Sequence, residues 1–224
     1  MKKIYFALLA LSALANGCKK SSSGVVVEAA KYMSLTAASS WQYRTVNNIT
    51  SSITNYSLTS TNRDSSINGK SYHVFINSTA GNSEYYLISG NDYYTFRTLG
   101  LALGNATFES LYLKDNLSVG QTWSQTLSLT VPGVPIAVPI NITYTIVETG
   151  ISRTVNAIAY TDVIHVKTAI TSSLVPPTGL VTDINNYYAR KYGMIESTNI
   201  LSLNYSGFVQ NNNTSTLLLS SDIK

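Results

Sequence analysis

The sequence contains one cysteine, Cys18, in 224 residues. Without a second thiol the chain cannot form an internal disulfide, so its core has to be stabilised by packing alone.

Charged residues make up only 12% of the chain, and the formal net charge of +4 is spread along it. A nucleic-acid-binding surface needs clustered basic residues, so we expect no nucleic-acid partner. Past residue 17 no apolar run approaches the roughly 20 residues of a membrane-spanning helix.

Residues typical of catalytic or metal sites are also few. The two histidines, His73 in "SYHVFI" and His165 in "DVIHVK", have no His or Cys at ligand spacing, and we expect each to be a hydrogen-bonded strand residue. The chain has no Gly-x-Ser-x-Gly elbow and no phosphate-binding glycine loop. Its acidic residues are isolated, and nothing in the sequence brings two together as glycoside hydrolysis would require. We therefore predict a non-enzymatic protein with no catalytic residues, no metal site and no cofactor.

The N-terminal residues have the layout of a secretory signal. Lys2 and Lys3 precede an apolar run from Ile4 to Leu14, and "LANGC" ends at Cys18. This ending resembles a bacterial lipobox, in which the cysteine is acylated and becomes the first mature residue. The resemblance implies a lipoprotein signal peptide over 1–17, attachment of acyl chains such as palmitate at Cys18, and a flexible tether over 18–31. Each buried methylene contributes about 0.8 kcal/mol, so the expected partner of this end is a membrane.

The rest of the chain is typical of β-structure. Short runs rich in Tyr, Val, Ile and Thr alternate apolar with polar residues, and Asn, Ser, Gly and Pro clusters separate them. Alternation predicts antiparallel strands with one packed face. We predict an all-β fold of about ten to thirteen strands in a strongly curved, half-barrel or barrel-like sheet. At most one or two short helices are expected, one of them around "VEAAKYMSL".

Adjacent tyrosines occur at 85–86, 93–94 and 187–188. Neighbours on a strand point to opposite faces, so one ring of each pair should pack in the core while the other faces solvent. Outward rings could stack on sugars, although aromatic neighbours also stabilise sheets by themselves. The structural interpretation is favoured, and glycan binding is kept as an alternative.

An internal repeat is suggested by three matches in the same order. "LTAASSW" and "LSVGQTW" share their spacing up to Trp41 and Trp123, and "INGKSYHVF" matches "VNAIAYTDV". Each copy then reaches a tyrosine pair, at 85–86 or 187–188. The Asn-Gly pair in the first copy suits a two-residue hairpin turn with positive φ. We predict a single β domain over 32–224 made of two related meanders, roughly 32–113 and 114–224.

The same residues resemble a known family. "YMSLTAASSWQY" is similar to the opening, and "YYARKYGMIES" to the closing strand pair, of secreted bacterial lipoproteins of the Bacteroidota type. These resemble the lipoprotein-carrier (Lol-type) superfamily, whose curved antiparallel sheet surrounds an apolar cavity. The resemblance implies a fold and an apolar ligand but no activity. Because no Asp directly follows the cysteine, the resemblance also implies that the protein is anchored in the outer membrane with its body facing the periplasm.

Two connections are apolar where polar turns are expected. "LGLALGNATF" begins at Leu99, and "TVPGVPIAVPIN" begins at Thr130 and contains three prolines. Such segments either plug the sheet from within or form an apolar rim for a ligand. The second alternative, combined with the anchor, predicts a protein that binds an apolar or lipid-like ligand or an envelope partner in the cavity of its curved sheet; a purely structural envelope protein is a further alternative. The predicted ligand-binding residues are Leu99, Leu101, Leu103, Val131, Val134 and Ile136.

Overall fold

The computed structural model describes residues 30–79, 83–98, 107–129, 137–205 and 208–224. These residues form twelve β-strands in one sheet and contain no helix, so the all-β prediction is confirmed. The segment 30–39, within the stretch where a short helix was expected, contains only bends and a turn. The strands are β1 (Ser40–Asn47), β2 (Ile53–Ile67), β3 (Lys70–Asn77), β4 (Ser83–Ser89), β5 (Asp92–Thr98), β6 (Thr107–Lys114), β7 (Thr122–Leu129), β8 (Val138–Val155), β9 (Ile158–Thr171), β10 (Leu180–Ala189), β11 (Gly193–Tyr205) and β12 (Phe208–Asp222).

The sheet consists of two consecutive antiparallel meanders. Its strand order is β6-β5-β4-β3-β2-β1-β12-β11-β10-β9-β8-β7, so each half of the chain forms six neighbouring strands in sequence order. The halves join where β1 pairs with β12, and the sheet edges are β6 and β7. The sheet curls into a nearly closed, barrel-like shape, as predicted.

Side chains rather than a backbone ladder connect the two edges. The carboxamide of Gln125 on β7 accepts a hydrogen bond from the Leu111 N–H (2.8 Å) and donates one to the Glu109 carbonyl (3.1 Å) on β6. The indole N–H of Trp123 donates to the Leu111 carbonyl at 2.7 Å. An amide side chain has one acceptor oxygen and two donor hydrogens, so Gln125 takes the place of a backbone peptide across this gap.

The predicted hairpin turns are present in both meanders. Asn68 and Gly69, between β2 and β3, have φ values of 51° and 76°. Asn156 and Ala157 occupy the corresponding turn between β8 and β9, with φ values of 50° and 63°. Two consecutive residues with positive φ define the type I′ turn, whose twist matches that of paired strands. Ala157 adopts this conformation although its Cβ makes it unfavourable.

The two meanders also begin alike. Trp41 is the second residue of β1 and Trp123 the second residue of β7, and both are buried, with 1% and 9% of their surface exposed. Three residues before each Trp, Ala38 and Gly120 have positive φ values of 66° and 85°. The Ala38 N–H donates to the Ser60 carbonyl on β2, and the Gly120 N–H donates to the Ile146 carbonyl on β8. In both meanders this hydrogen bond reaches the second strand. The expected burial of both tryptophans is thus confirmed.

The N-terminal segment 30–36 lies across one end of the sheet, which we call the N-terminal end. The Tyr32 N–H donates to the Tyr93 hydroxyl at 3.0 Å, and the Lys191 N–H donates to the Lys31 carbonyl at 2.7 Å. The Tyr32 side chain is buried. These contacts hold the segment extended against the hairpin turns. The described residues contain no helix that could cross a bilayer.

Candidate functional site

The curled sheet encloses a cavity of about 1060 Å³ between the two meanders. It extends from Met33 and Tyr192, at the N-terminal end, to Ser83 and Thr98 at the opposite end, which we call the far end. The inward faces of the strands form its wall because alternate side chains point to the same side of a sheet. Wall residues from the first meander include Trp41, Tyr43, Tyr56, Leu58, Glu84, Tyr86, Thr95, Arg97, Ser110 and Tyr112; those from the second include Ile184, Asn186, Tyr188, Met194 and Asn199.

Tyrosine rings make up much of this wall. Burial raises the pKa of Tyr43, Tyr86 and Tyr112 well above the usual value, and it raises the pKa of Tyr56 to about 12. These side chains are therefore neutral at physiological pH. Tyr43 donates its hydroxyl hydrogen to the Met194 carbonyl at 2.9 Å, which links the two meanders across the interior. The wall is thus amphipathic, because apolar ring faces stand beside neutral hydroxyl groups.

Two charged residues, Glu84 on β4 and Arg97 on β5, project into the cavity. The Glu84 oxygens accept hydrogen bonds from the Asn77 amide and the Tyr86 hydroxyl, both at 2.7 Å. Arg97 is an exposed residue whose side chain borders the open interior rather than the packed wall. Burial acts to lower the pKa of the Arg97 guanidinium, but the nearby Tyr86 and Glu84 outweigh it and raise the pKa above the usual value. The guanidinium is therefore a fixed positive charge inside the cavity.

Two of the three tyrosine pairs, 93–94 and 187–188, divide between the faces as predicted, and their outward members contact cations of the same chain. Tyr93 and Tyr188 are buried inside. The Arg153 guanidinium lies 3.5 Å from the ring centroid of Tyr187, and the Lys70 Nζ lies 5.0 Å from that of Tyr94. Rings engaged in such cation–π contacts stabilise the sheet surface. This arrangement favours the structural interpretation of the outward rings over a sugar-binding platform.

Both histidines are hydrogen-bonded strand residues, as predicted. His165 lies 3.2 Å from a Glu148 oxygen through Nδ1 and 3.0 Å from the Asn185 Oδ1 through Nε2. Its ring also stacks on that of Tyr187, at a centroid distance of 4.2 Å. The described residues contain no group of three or more His, Cys, Asp or Glu side chains that could hold a metal ion.

His73 takes part in an arrangement that the sequence did not suggest. Its Nε2 lies 2.9 Å from the Ser60 Oγ and its Nδ1 lies 2.9 Å from an Asp64 oxygen, distances that resemble those of a Ser-His-Asp triad. A register shift in the β2–β3 pairing brings the three together. A triad serine must donate its hydrogen to the histidine and stand open to substrate. Ser60 instead donates to the Leu35 carbonyl at 3.0 Å and is 2% exposed.

The backbone around Ser60 gives a second reason against a nucleophilic role. The Ser60 N–H donates to the Ser39 carbonyl at 2.9 Å, so it is not available to stabilise an oxyanion. The segment that includes Leu35 covers this serine from the N-terminal end. We therefore interpret these contacts as a polar network that fixes the N-terminal segment on the sheet.

A second network seals the same end. The Arg190 guanidinium donates to an Asp162 carboxylate oxygen and, at 2.8 Å, to the Ala30 carbonyl. The Tyr32 hydroxyl donates to the other Asp162 oxygen at 2.9 Å. Burial acts to raise the pKa of Asp162, but the hydrogen bonds from Arg190 and Tyr32 outweigh it, so the pKa is lowered. The ionised carboxylate thus helps to hold segment 30–36 in place.

The ligand-binding residues predicted from the sequence lie outside the described residues, as does Cys18. The strands that flank them are described: Thr98 and Thr107 border one connection, and Leu129 and Val138 border the other. Because the strands alternate in direction, all four residues lie at the far end of the sheet. The residues that the sequence analysis missed are Arg97 and the inward tyrosines outside the three pairs, Tyr43, Tyr56 and Tyr112. Arg97 stands two and four residues after the inward-facing Thr95 and Tyr93, and that spacing alone predicts an inward side chain.

Comparison with known proteins leaves the family open. No protein-family model matches the chain, and no curated protein matches it significantly. Among solved structures, the chain is similar to a crystal structure named "putative lipoprotein", from Parabacteroides distasonis, with 6% identity and a TM-score of 0.48. The match covers 87% of this chain and 100% of that one. A likeness at this level gives no argument about function, and the resemblance to the Lol-type superfamily stays a prediction.

Proposed function

We propose that this chain is a lipid-anchored, non-enzymatic protein of the bacterial cell envelope that binds an amphipathic, lipid-like ligand in the cavity between its two meanders. The observation on which this rests is the cavity itself. Its volume of about 1060 Å³ is slightly above the roughly 300–1,000 Å³ typical of small-molecule sites.

The composition of the wall agrees with an amphipathic guest. Leu58, Ile184 and Met194 offer apolar contacts, while neutral tyrosine hydroxyls and Asn186 offer hydrogen bonds. Burying an apolar chain here would contribute roughly 25 cal/mol for each Å² removed from water. A packed interior, expected for a purely structural protein, would leave no such space among the described residues. By this proposal the ligand enters at the far end, where the strand ends Thr98, Thr107, Leu129 and Val138 lie.

Filling the cavity tests the binding role. Ile184 on β10 is a partly buried wall residue, and Ile184→Trp places an indole in the open volume. Val181 on the same strand is 52% exposed, so Val181→Trp is the matched control. Saturable binding of a fluorescent fatty acid to wild type and Val181→Trp, weakened about tenfold or more in Ile184→Trp, is the expected result. Equal binding by all three proteins would contradict the proposal, provided circular dichroism shows each to be folded.

The anchor is tested separately. The lipobox-like residues 14–18 predict that Cys18→Ser moves the protein from the membrane fraction to the soluble fraction after cell lysis. Ser21→Ala, in the same segment, is expected to remain membrane-bound. Mass spectrometry of the wild-type N-terminus should find acyl chains on Cys18. Membrane retention of Cys18→Ser together with an unmodified wild-type cysteine would contradict the anchor.

A further inference from the structure

We propose that the ligand of the cavity is an amphiphile with an anionic head group, a carboxylate or a phosphate, and that Arg97 binds this group. The inference rests on the proposed function and names the class of ligand. Arg97 projects from β5 into the cavity near the far end, next to Thr98 at the end of its strand. Its guanidinium presents five N–H donors in a planar fork that matches the oxygens of carboxylates and phosphates.

Among the described residues, Arg97 has no carboxylate within ion-pair distance. The closest candidate is Glu84, which also lines the cavity and influences Arg97 through space. Both Glu84 oxygens are already engaged, by the Asn77 amide and the Tyr86 hydroxyl. Those two contacts fix the carboxylate on its own strand pair. The interior therefore contains a guanidinium without a direct counter-charge.

No other acidic residue of the described part is free to supply one. The chain has 11 acidic residues, of which only Glu28 lies outside the described residues. Nor do the connections 80–82, 99–106, 130–136 and 206–207 contain an Asp or Glu in their sequence. Each remaining carboxylate is hydrogen-bonded to a partner other than Arg97: Asp64, Glu84, Asp92, Glu109, Asp115, Glu148, Asp162, Asp183, Glu196 and Asp222.

A charge in a cavity that has no counter-charge is compensated by water or by a ligand. Two other arginines of the chain are paired with carboxylates: Arg153 pairs with Glu196 and Arg190 pairs with Asp162. Arg97, by contrast, lines the cavity and has no carboxylate partner among the described residues. An anionic head group would supply the missing charge, and its alkyl tail would lie along the apolar part of the wall.

A second polar group of the cavity wall also lacks a partner. The Asn199 side-chain oxygen is buried and has no hydrogen-bond partner among the described residues. Asn199 comes from β11 in the second meander, and its Cα partner on β10 is the wall residue Ile184. The cavity therefore presents an unpaired donor group from one meander and an unpaired acceptor from the other. A head group that includes a hydroxyl or an amide N–H beside its anionic oxygens would satisfy both.

The experiment compares ligands that differ only in the head group. Delipidated full-length protein in detergent is titrated with oleate, oleyl phosphate and oleyl alcohol, and with acetate and inorganic phosphate as tail-free anions. The variants are Arg97→Gln, which removes the charge, and Arg97→Lys, which keeps it. Arg44→Gln is the matched control, because Arg44 follows the inward Tyr43 on β1 and does not line the cavity.

We expect wild type and Arg44→Gln to bind oleate or oleyl phosphate about tenfold or more tightly than oleyl alcohol, as charge-assisted hydrogen bonds allow. Arg97→Gln should lose this preference while still binding oleyl alcohol, and Arg97→Lys should keep part of it. Equal affinities for the charged and neutral amphiphiles in wild type would overturn the inference and leave the proposed function intact. Failure of wild type to bind any of the three amphiphiles would overturn both. If only the tail-free anions bind, and their binding depends on Arg97, the proposal that the ligand is lipid-like would be overturned.

Discussion

The two meanders meet twice, and the two junctions are built differently. Where β1 meets β12, eight pairs of Cα partners form an antiparallel backbone ladder with one register shift, between Gln42 and Tyr43. Where β6 meets β7, the Gln125 carboxamide and the Trp123 indole make the connection with their side chains. A ladder depends on the backbone and tolerates most substitutions, whereas the second junction depends on particular side chains. Edge strands with unpaired backbone groups tend to pair with other chains, so these side chains also protect β6 and β7.

The largest expected effects are at the two buried tryptophans, one at each junction. Trp41 on β1 is buried, and its indole N–H donates to the Tyr192 carbonyl at 2.7 Å. Trp41→Ala should lower the free energy of unfolding by about 3–5 kcal/mol, because it leaves a large cavity in the core. We expect the same range for Trp123→Ala. Urea denaturation followed by circular dichroism measures both, and a loss below about 1 kcal/mol would contradict the packing described here.

The second prediction concerns the side-chain junction alone. Gln125→Ala leaves the Leu111 N–H and the Glu109 carbonyl without their partner, which should lower the free energy of unfolding by about 1–3 kcal/mol. Ser124, the preceding residue on β7, is exposed, and Ser124→Ala should change stability by less than about 0.5 kcal/mol. Hydrogen exchange at the Leu111 amide should accelerate only in Gln125→Ala. Unchanged protection in that variant would show that something other than Gln125 closes the gap.

The two type I′ turns allow a smaller, reciprocal test. Ala157 has a φ of 63°, so Ala157→Gly should stabilise the protein by about 1 kcal/mol through relief of left-handed strain. Gly69 is the corresponding residue of the other meander, and an added Cβ there would meet nothing within 4 Å. Gly69→Ala should therefore destabilise by a similar amount for conformational reasons only. Thermal unfolding of the two variants should show shifts in opposite directions, and shifts of the same sign would refute the equivalence of the turns.

The smallest expected effect is a dependence of stability on pH at the β6 edge. Burial acts to raise the pKa of Glu109, but hydrogen bonds from Lys70 and Tyr72 outweigh it, so the pKa is lowered. A carboxylate with a lowered folded-state pKa stabilises the protein above its unfolded value, about 4.3, and loses that contribution as the pH falls. Lys70 is about half exposed, so solvent limits the effect to about 1 kcal/mol or less.

Glu109→Gln provides the measurement for this contribution. Urea unfolding at pH 7 and at pH 3 should show a smaller difference in stability for the variant than for wild type. Asp222→Asn, at the exposed pair with Lys224, is the control and should leave the difference nearly unchanged. An identical pH dependence in Glu109→Gln and wild type would mean that the carboxylate adds nothing to the β6 edge.

The sequence predicted the parts of the fold that depend on neighbouring residues. Alternation identified the strands, and the Asn-Gly pair at 68–69 identified a turn with positive φ. The shared spacing before Trp41 and Trp123 correctly indicated two similar strand openings, because burial and turn geometry act within a few residues. Local patterns determine such features before any long-range contact forms.

Features that depend on which distant strands meet could not be predicted in the same way. Nothing near β1 indicates that its partner is β12, and nothing near Gln125 indicates that its amide replaces a peptide group. The contacts of His73 with Ser60 and Asp64 depend on a register shift between β2 and β3, which the alternating pattern does not specify. Arg97 is an intermediate case, since its spacing from Tyr93 places it inside, but an isolated arginine is usually a surface residue.

The strand order has a consequence for folding. The first and last strands, β1 and β12, are neighbours in the middle of the sheet. The edge strands, β6 and β7, follow each other in the middle of the sequence. Contacts between β1 and β12 therefore join residues far apart in sequence, as between Thr45 and Thr216, which are 171 positions apart. The Lys224 N–H donates to the Ser39 hydroxyl oxygen at 3.1 Å, so a short linker could join the two ends of the β domain. A circular permutant that begins between β6 and β7 would have its strands in sheet order, and its lower contact order should make it fold faster than the natural arrangement.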